Sequence, residues 1–348
     1  MKNRPDTVIV CYNAPAAIYE NYSGKPKSDN AALDDMSETS FMNEIGFVTS
    51  ALRKAFARVE TVAVTKNIHE NIAKLKTIGP AVVFNIVESV EGVAEYEIYH
   101  AGLYDLLNLS YTGNTPQCLG NCLHKFRAKH ILKANGILVP NAITIAPGTN
   151  MAALHSLQYP LITKLLKEDA SIGISEHSVV KNEAELMQQL KFLFESYRQP
   201  AIVEEYIEGR EFNIGILGGT PLPVSEISFE GLPGHFPKIV TYEGKWMEES
   251  LYYKHTTPLC PAPIDPEMTN KLHRVALGAY KAMECRDYAR VDVRVDVHGT
   301  PYVIEVNPNP DISTDAGFTR AASKIGIDYD ALIKQIAEFA VERTYPAA

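Results

Sequence analysis

No stretch of this 348-residue chain approaches the roughly 20 consecutive apolar residues of a bilayer-spanning helix, and no run of lysine and arginine interrupts it. The first absence argues against a membrane partner. The second, with a formal net charge of −9, argues against nucleic acid, whose phosphates require a basic face. Small molecules are the expected partners. Cysteine is scarce: Cys11, Cys118, Cys122, Cys260 and Cys285 form an odd, scattered set that fits reduced cytoplasmic thiols better than a disulfide framework. Cys118, Cys122, His124 and His130 match no standard zinc-finger spacing, so zinc is not expected there. Internal repeats and low-complexity segments are also missing. The opening MKNRPDTVIVCYNAPAA has the basic and small residues of a signal peptide, but its apolar run, Val8 to Cys11, is too short for one and reads as a buried strand.

What is present is a composition ordinary for a globular chain, 46% hydrophobic and 22% charged, and long enough for two or three domains. Strand-like and helix-like runs alternate through the first third: TVIVCY, a polar stretch over 21–40, a helix near 41–56, VETVAV, a helix near 68–76, and AVVFNIV. This βαβαβ rhythm predicts a parallel layer, with ligands beyond the carboxyl ends of its strands. The loop after Phe84 carries Glu88, Glu91, Glu95 and Glu97, acids that suit a substrate ammonium or simply a helix start. A helix is predicted over 121–135, closed by Asn135-Gly136, with a domain boundary near 118. Strands over 161–165, 177–181 and 201–207 and a helix over 182–198 follow, and an antiparallel region begins after Gly209. Residues 231–263, rich in Gly, Pro and Tyr, read as one long loop, and helices near 266–284 and 328–342 flank a hairpin.

That hairpin, ARVDVRVDVHGTPYVIEVNPNP, carries the most chemistry. From Val291 to Val297 every second residue is valine, leaving Arg290, Asp292, Arg294 and Asp296 on the other face. His298-Gly299 fits a two-residue turn, and pairing 297 with 300 sets Asp292 opposite Glu305 and Arg290 opposite Asn307. Like charges directly across a sheet cost about 0.2–1 kcal/mol, so a positive group is expected between them. A hard divalent cation meets that need, because the oxygens of Asp292, Glu305 and Asn307 are the set that Mg²⁺ takes together with phosphate and water. Arg290 and Arg294 are the alternative source of positive charge on a solvated face. Asn-Pro-Asn-Pro cannot continue a central strand and ends the acidic pair at a rigid loop.

Two weaker signals precede it. Lys164 closes the apolar strand YPLIT and opens a loop with Ala170, Ser171 and Gly173, whose backbone N–H groups are suited to phosphate oxygens. AIVEEYIEGREF runs a buried strand into Glu204 and Glu205, with Glu211 beyond Gly209, a transition suited to an adenine edge and ribose hydroxyls or to an interdomain hinge.

In this order the elements resemble the ATP-grasp superfamily, most closely its D-alanine:D-alanine ligase branch. The resemblance runs from about Val83 to Gly326 and is sharpest at Arg290-x-Asp292 and Glu305-x-Asn307-x-x-Pro310. It implies an α/β, overall α+β, ATP-grasp fold: a Rossmann-like N-terminal domain (1–118), a central subdomain (119–206) and a C-terminal subdomain with the metal and catalytic site (207–348). It implies an ATP-dependent carboxylate–amine ligase that forms an amide or dipeptide through an acyl phosphate. An inactive ATP-binding regulatory or scaffold protein on the same fold is the alternative. Lys125, Lys164, Ser171 and Gly173 would attend the phosphates, Glu204, Glu205 and Ile207 the adenine, and Glu211 the ribose. Asp292, Glu305 and Asn307 would hold two Mg²⁺ ions, replaceable by Mn²⁺, while Arg290 steadies the oxyanion and Lys245 covers the phosphates from the long loop. A homodimer is implied as well.

The resemblance weakens at the substrate positions. Glu88 stands where the family has His, Asp311 where it has Gly, and the hydroxyl-rich run that follows becomes Ile312-Ser313-Thr314-Asp315-Ala316. With Glu88, Asp311 and Ser313 at the substrates, the pattern predicts a cationic or uncharged amine acceptor, since a carboxylate at 311 repels another.

Overall fold

The computed structural model describes residues 7–344, apart from 14–15, 17, 20, 26–35, 150–153 and 155, and apart from the side chains of 36–43 and 344. Half of the polar stretch expected over 21–40, residues 26–35, lies outside the described residues, and 36–40 already belong to a helix.

Strands β1 (Thr7–Asn13), β2 (Arg58–Val64) and β3 (Val82–Ile86) form a parallel sheet in the order β2-β1-β3, linked by helices α1 (Met36–Arg53) and α2 (Ile68–Ile78). The unbroken apolar run of β1 follows from burial on both faces: Val8 and Val10 pack with Val48 and Leu52, whereas Ile9 and Cys11 pack with Leu75 and Tyr104. On this second face lies α3 (Tyr96–Leu106).

The helix expected over 121–135 is two helices, α4 (Pro116–Leu123) and α5 (Lys125–Ala134). His124 breaks them with φ −85° and ψ 87°, and its Nδ1 caps α5 by accepting from the Arg127 N–H at 3.2 Å. The break makes Lys125 the first residue of α5.

A second, antiparallel sheet of β4 (Ala142–Ile145), β5 (Leu161–Leu165), β6 (Val179–Val180) and β7 (Ala201–Glu205) has the order β4-β7-β5-β6 and packs against α6 (Glu183–Tyr197). The strand expected over 177–181 shrinks to β6 because Ser175 caps a 3-10 turn over Glu176–Ser178.

The third sheet is antiparallel, built from β8 (Gly209–Leu217), β9 (Thr220–Pro221), β10 (Ser225–Ser228), β11 (Thr257–Leu259), β12 (Tyr288–Asp296) and β13 (Pro301–Asn307). The supposed loop over 231–263 contains β11 and two helices, α7 (Tyr242–Trp246) and α8 (Leu251–Lys254), of five and four residues, too short to print a 3.6-residue period. Behind the sheet lies α9 (Pro266–Ala282), whose Leu272 and Ala276 meet Phe212, Ile214, Val291, Val293 and Val303. After α10 (Gly317–Ser323), α11 (Tyr329–Thr344) returns to the first sheet, where Leu332 and Ile336 join the core of Val8, Leu52 and Phe84.

The β12–β13 register holds Asp292 opposite Glu305 and Arg290 opposite Asn307, as expected, but by a different route. The turn has three residues, Val297 to Gly299, closed by Asp296 N–H to Thr300 O at 3.0 Å, with Gly299 at φ 78°. That turn alone would slip the pairing by one, and Ile304, bulged between the partners of Asp292 and Val293, restores it. Val297, placed by alternation on the buried face, is in the turn and 76% exposed.

Candidate active site

Strand alternation fixes the chemistry of the third sheet. While the valines face α9, the opposite face carries Glu211 and Asn213 from β8, Arg290, Asp292 and Arg294 from β12, and Glu305 and Asn307 from β13. All seven line a cavity of about 370 Å³ whose far wall comes from the second sheet and from the 168–174 loop. That volume suits a drug-sized ligand.

Each acid here meets a cation. Arg290 donates from Nε and Nη2 to the two Asp292 oxygens at 2.8 and 2.9 Å, and Asp292 also accepts from Asn213 at 2.7 Å and Asn307 at 2.9 Å. Lys125 donates to Glu305 at 2.7 Å, to the Glu168 carbonyl at 2.6 Å and to Asp169 at 3.2 Å. Burial works to raise the Glu305 pKa, yet Lys125 and Lys164 prevail and hold it down at about 2. The positive charge expected between Asp292 and Glu305 is thus supplied by Arg290 and Lys125. The remaining donor set is all oxygen, from Asp292, Glu305 and Asn307, which fits a hard divalent cation.

Glu204 is 1% exposed and lies between Lys164 and Lys129, each 3.2 Å from one of its oxygens. Burial opposes its charge, but the two lysines keep its pKa below the usual carboxylate range. Glu205, also in the cavity wall, has no cation partner among the described residues and accepts instead from the Asn141 amide and the Gln158 N–H, both at 3.0 Å. Arg294, 4% exposed, donates to the Ile207 carbonyl at 2.7 Å and to Glu211 at 2.7 Å, which fixes the strand-to-turn transition at this end of the cavity. Ser171 is in the cavity wall with φ 60°, and the exposed Lys245 of α7 stands at its mouth.

Gly173 departs from its expected role. Its N–H donates to the Tyr22 carbonyl at 2.9 Å, and the residue is absent from the cavity wall. Glu88, Asp311 and Ser313 line a second, smaller pocket with Glu44, Asn309 and Tyr288. The other loop acids scatter: Glu91 pairs with Lys66 and Glu95 with Lys167, both at 2.9 Å, while Glu97 accepts from Asn309 at 3.1 Å. Sequence reasoning missed Lys129, Asn213, Arg320 and Trp246, whose indole donates to the Ala170 carbonyl at 3.2 Å. Only Asn213 left a signal, as the polar residue alternating with Phe212 and Ile214.

Two antiparallel sheets facing each other across a charged cleft, behind a parallel N-terminal layer, are the ATP-grasp architecture. Residues 131–338 match the family described as D-ala D-ala ligase C-terminus. A D-alanine–D-alanine ligase of Marinomonas sp. is 31% identical over 242 residues, 69% of this chain and 72% of its own. An uncharacterised protein of Sinorhizobium fredii, y4sG, is 32% identical over 264 residues, 76% of this chain and 75% of that protein. The solved D-alanine–D-alanine ligase of Bacillus anthracis complexed with ATP superposes with a TM-score of 0.72 at 23% identity, covering 97% of this chain and 98% of that one. The chain belongs to the D-alanine–D-alanine ligase family, which is a family of ATP-dependent ligases that form C–N bonds. Among the described residues, no helix is long and apolar enough to cross a membrane.

Proposed function

We propose that this chain joins the carboxyl group of an amino acid to an amine through an acyl phosphate, releasing ADP and phosphate. The observation that carries the reading is the convergence of Lys125, Lys164 and Arg290 with Asp292, Glu305 and Asn307 on one cavity. In this reading the γ-phosphoryl group of ATP passes to the substrate carboxylate, the amine attacks the acyl carbon, and phosphate leaves. Phosphoryl transfer of this kind depends on positioning and charge more than on covalent help from the protein. Lys125 and Lys164 orient the phosphates, and Ser171 and Lys245 close over them. Arg290 stabilises the oxyanion that forms when the amine adds. Asp292, Glu305 and Asn307 would hold two Mg²⁺ ions, or Mn²⁺, which supply charge neutralisation at the phosphates when bound.

The acceptor is proposed to be a cationic or uncharged amine. Thr314 N–H donates to Glu44 at 3.1 Å and Ser313 N–H to Asp311 at 2.8 Å, which gathers Glu44 and Asp311 at the smaller pocket, with Asp315 on the adjoining wall of the large cavity. Partial burial, with Asp315 and Asp311 beside it, raises the Glu44 pKa. Such a field repels an acceptor carboxylate and attracts an ammonium.

Amine-dependent ADP release tests the core of this reading. Arg290→Met is expected to lower kcat at least about 10²–10³-fold, the cost of losing one oxyanion donor, and Glu305→Gln to abolish turnover. Wild-type rates in both variants would overturn it.

A further inference from the structure

Away from the cleft, three of the five cysteines converge. Cys118 and Cys122 stand one turn apart on the same face of α4, and Cys285 joins them from the turn between α9 and β12. Their sulfurs all lie within 4.8 Å of one another, and Cys118 Sγ donates to Cys285 Sγ at 3.6 Å. Burial as a small apolar group accounts for one such thiol. It does not account for three meeting from two separate elements.

The triangle is close to what a tetrahedral thiophilic cation needs, since Zn–S bonds of about 2.3 Å place sulfurs roughly 3.8 Å apart. The surroundings also suit the charge. Arg286 follows Cys285, and its Nη2 is buried without a hydrogen-bond partner. We propose that Cys118, Cys122 and Cys285 form a thiolate site for Zn²⁺, with a fourth position left to water. On binding, three S–H bonds give up three protons to solvent and three S–Zn bonds form. The resulting centre carries one negative charge, which the Arg286 guanidinium offsets.

The site braces a joint. Asp287 accepts from the Gly113 N–H at 2.8 Å, and Arg286 donates to the Gly113 carbonyl at 2.6 Å. Arg343 of α11 pairs with Asp287. A cation on the three thiolates would pin α4 to the start of β12, the strand that carries Arg290 and Asp292.

The test is a titration of the reduced full-length protein with Co²⁺, with Mg-ATP present to occupy the oxygen-donor site. One equivalent of Co²⁺ is expected to develop sulfur-to-cobalt charge-transfer absorption in the near ultraviolet, which one equivalent of Zn²⁺ then bleaches. Cys285→Ser should lose the band, while Cys260→Ser, outside the cluster, keeps it. No band in the wild-type protein, or an undiminished band in Cys285→Ser, would overturn the proposal. Should Cys285→Ser fail to fold, wild-type alkylation mapped cysteine by cysteine decides: Zn²⁺ must slow modification of Cys118, Cys122 and Cys285 together and leave Cys260 unchanged. Equal rates with and without Zn²⁺ would refute the site.

Discussion

The two pockets handle negative charge in opposite ways. In the large cavity four acids are matched: Asp292 with Arg290, Glu305 with Lys125, Glu204 with Lys129 and Lys164, Glu211 with Arg294. In the smaller pocket Glu44 and Asp311, with Asp315 beside them, have no Lys or Arg within ion-pair distance among the described residues, and mutual repulsion adds to burial in raising the Glu44 pKa. The difference supports the proposed assignment of the two ends. In that proposal the matched side keeps cations ready for a polyphosphate, whereas the unmatched acids leave a field for an ammonium.

The contrast breaks most severely if a cation is taken from the matched side. Lys125→Met leaves Glu305 without its nearest partner, and is expected to destabilise the fold by about 2 kcal/mol, somewhat less than a fully buried pair because Glu305 keeps 29% exposure. The KM for ATP should rise at least tenfold. Acid titration checks the cause. With a folded pKa of about 2 against an ordinary 4.5, Glu305 contributes stability that is complete above pH 4.5 and lost as pH falls toward 2. Melting curves of Lys125→Met should therefore fall less steeply than wild type across that window, and parallel curves would contradict the pairing.

A smaller effect is expected on the unmatched side. Asp311→Gly should shift acceptor preference toward free α-amino acids by about tenfold, equivalent to about 1.4 kcal/mol, as read from kcat/KM for matched acceptors with and without a carboxylate. An unchanged acceptor profile in that variant would remove Asp311 from the specificity argument. The mildest test is pH alone. Because the Glu44 pKa is raised whereas those of Glu204 and Glu305 are lowered, lowering the pH from neutrality should neutralise Glu44 before those two acids of the cavity. The KM for a cationic acceptor should then climb severalfold over a range in which the KM for ATP holds steady. Parallel changes in the two constants would erase the contrast.

The same two regions differ in how well the sequence announced them. Arg290, Asp292, Glu305 and Asn307 could be read because strand alternation forces neighbours at i and i+2 onto one face, Lys164 and Glu211 because each sits where an apolar strand meets a turn, and all six share the cavity. Even there, the hairpin keeps the expected register by two compensating departures, a turn one residue longer than the pattern predicts and a bulge at Ile304. Bulges leave no period to read. Lys129 and Arg320 were invisible because their positions depend on how helices pack on sheets, which no local pattern encodes. Gly173 resembles a phosphate-loop glycine in sequence, but its N–H goes to Tyr22, about 150 positions earlier in the chain. The thiol cluster shows the same limit: sequence proximity groups Cys118 and Cys122 with His124 and His130, whereas the fold supplies Cys285.

The most direct measurement is ADP release with Mg-ATP across a matrix of D- and L-amino acids paired with amines that carry or lack a carboxylate, with mass spectrometry on each active pair. Amine-dependent ADP release is expected, together with an amide mass, strongest for acceptors without a carboxylate. ATP binding without substrate-dependent turnover would contradict the ligase reading, and the strongest turnover with two free α-amino acids would contradict the contrast between the pockets.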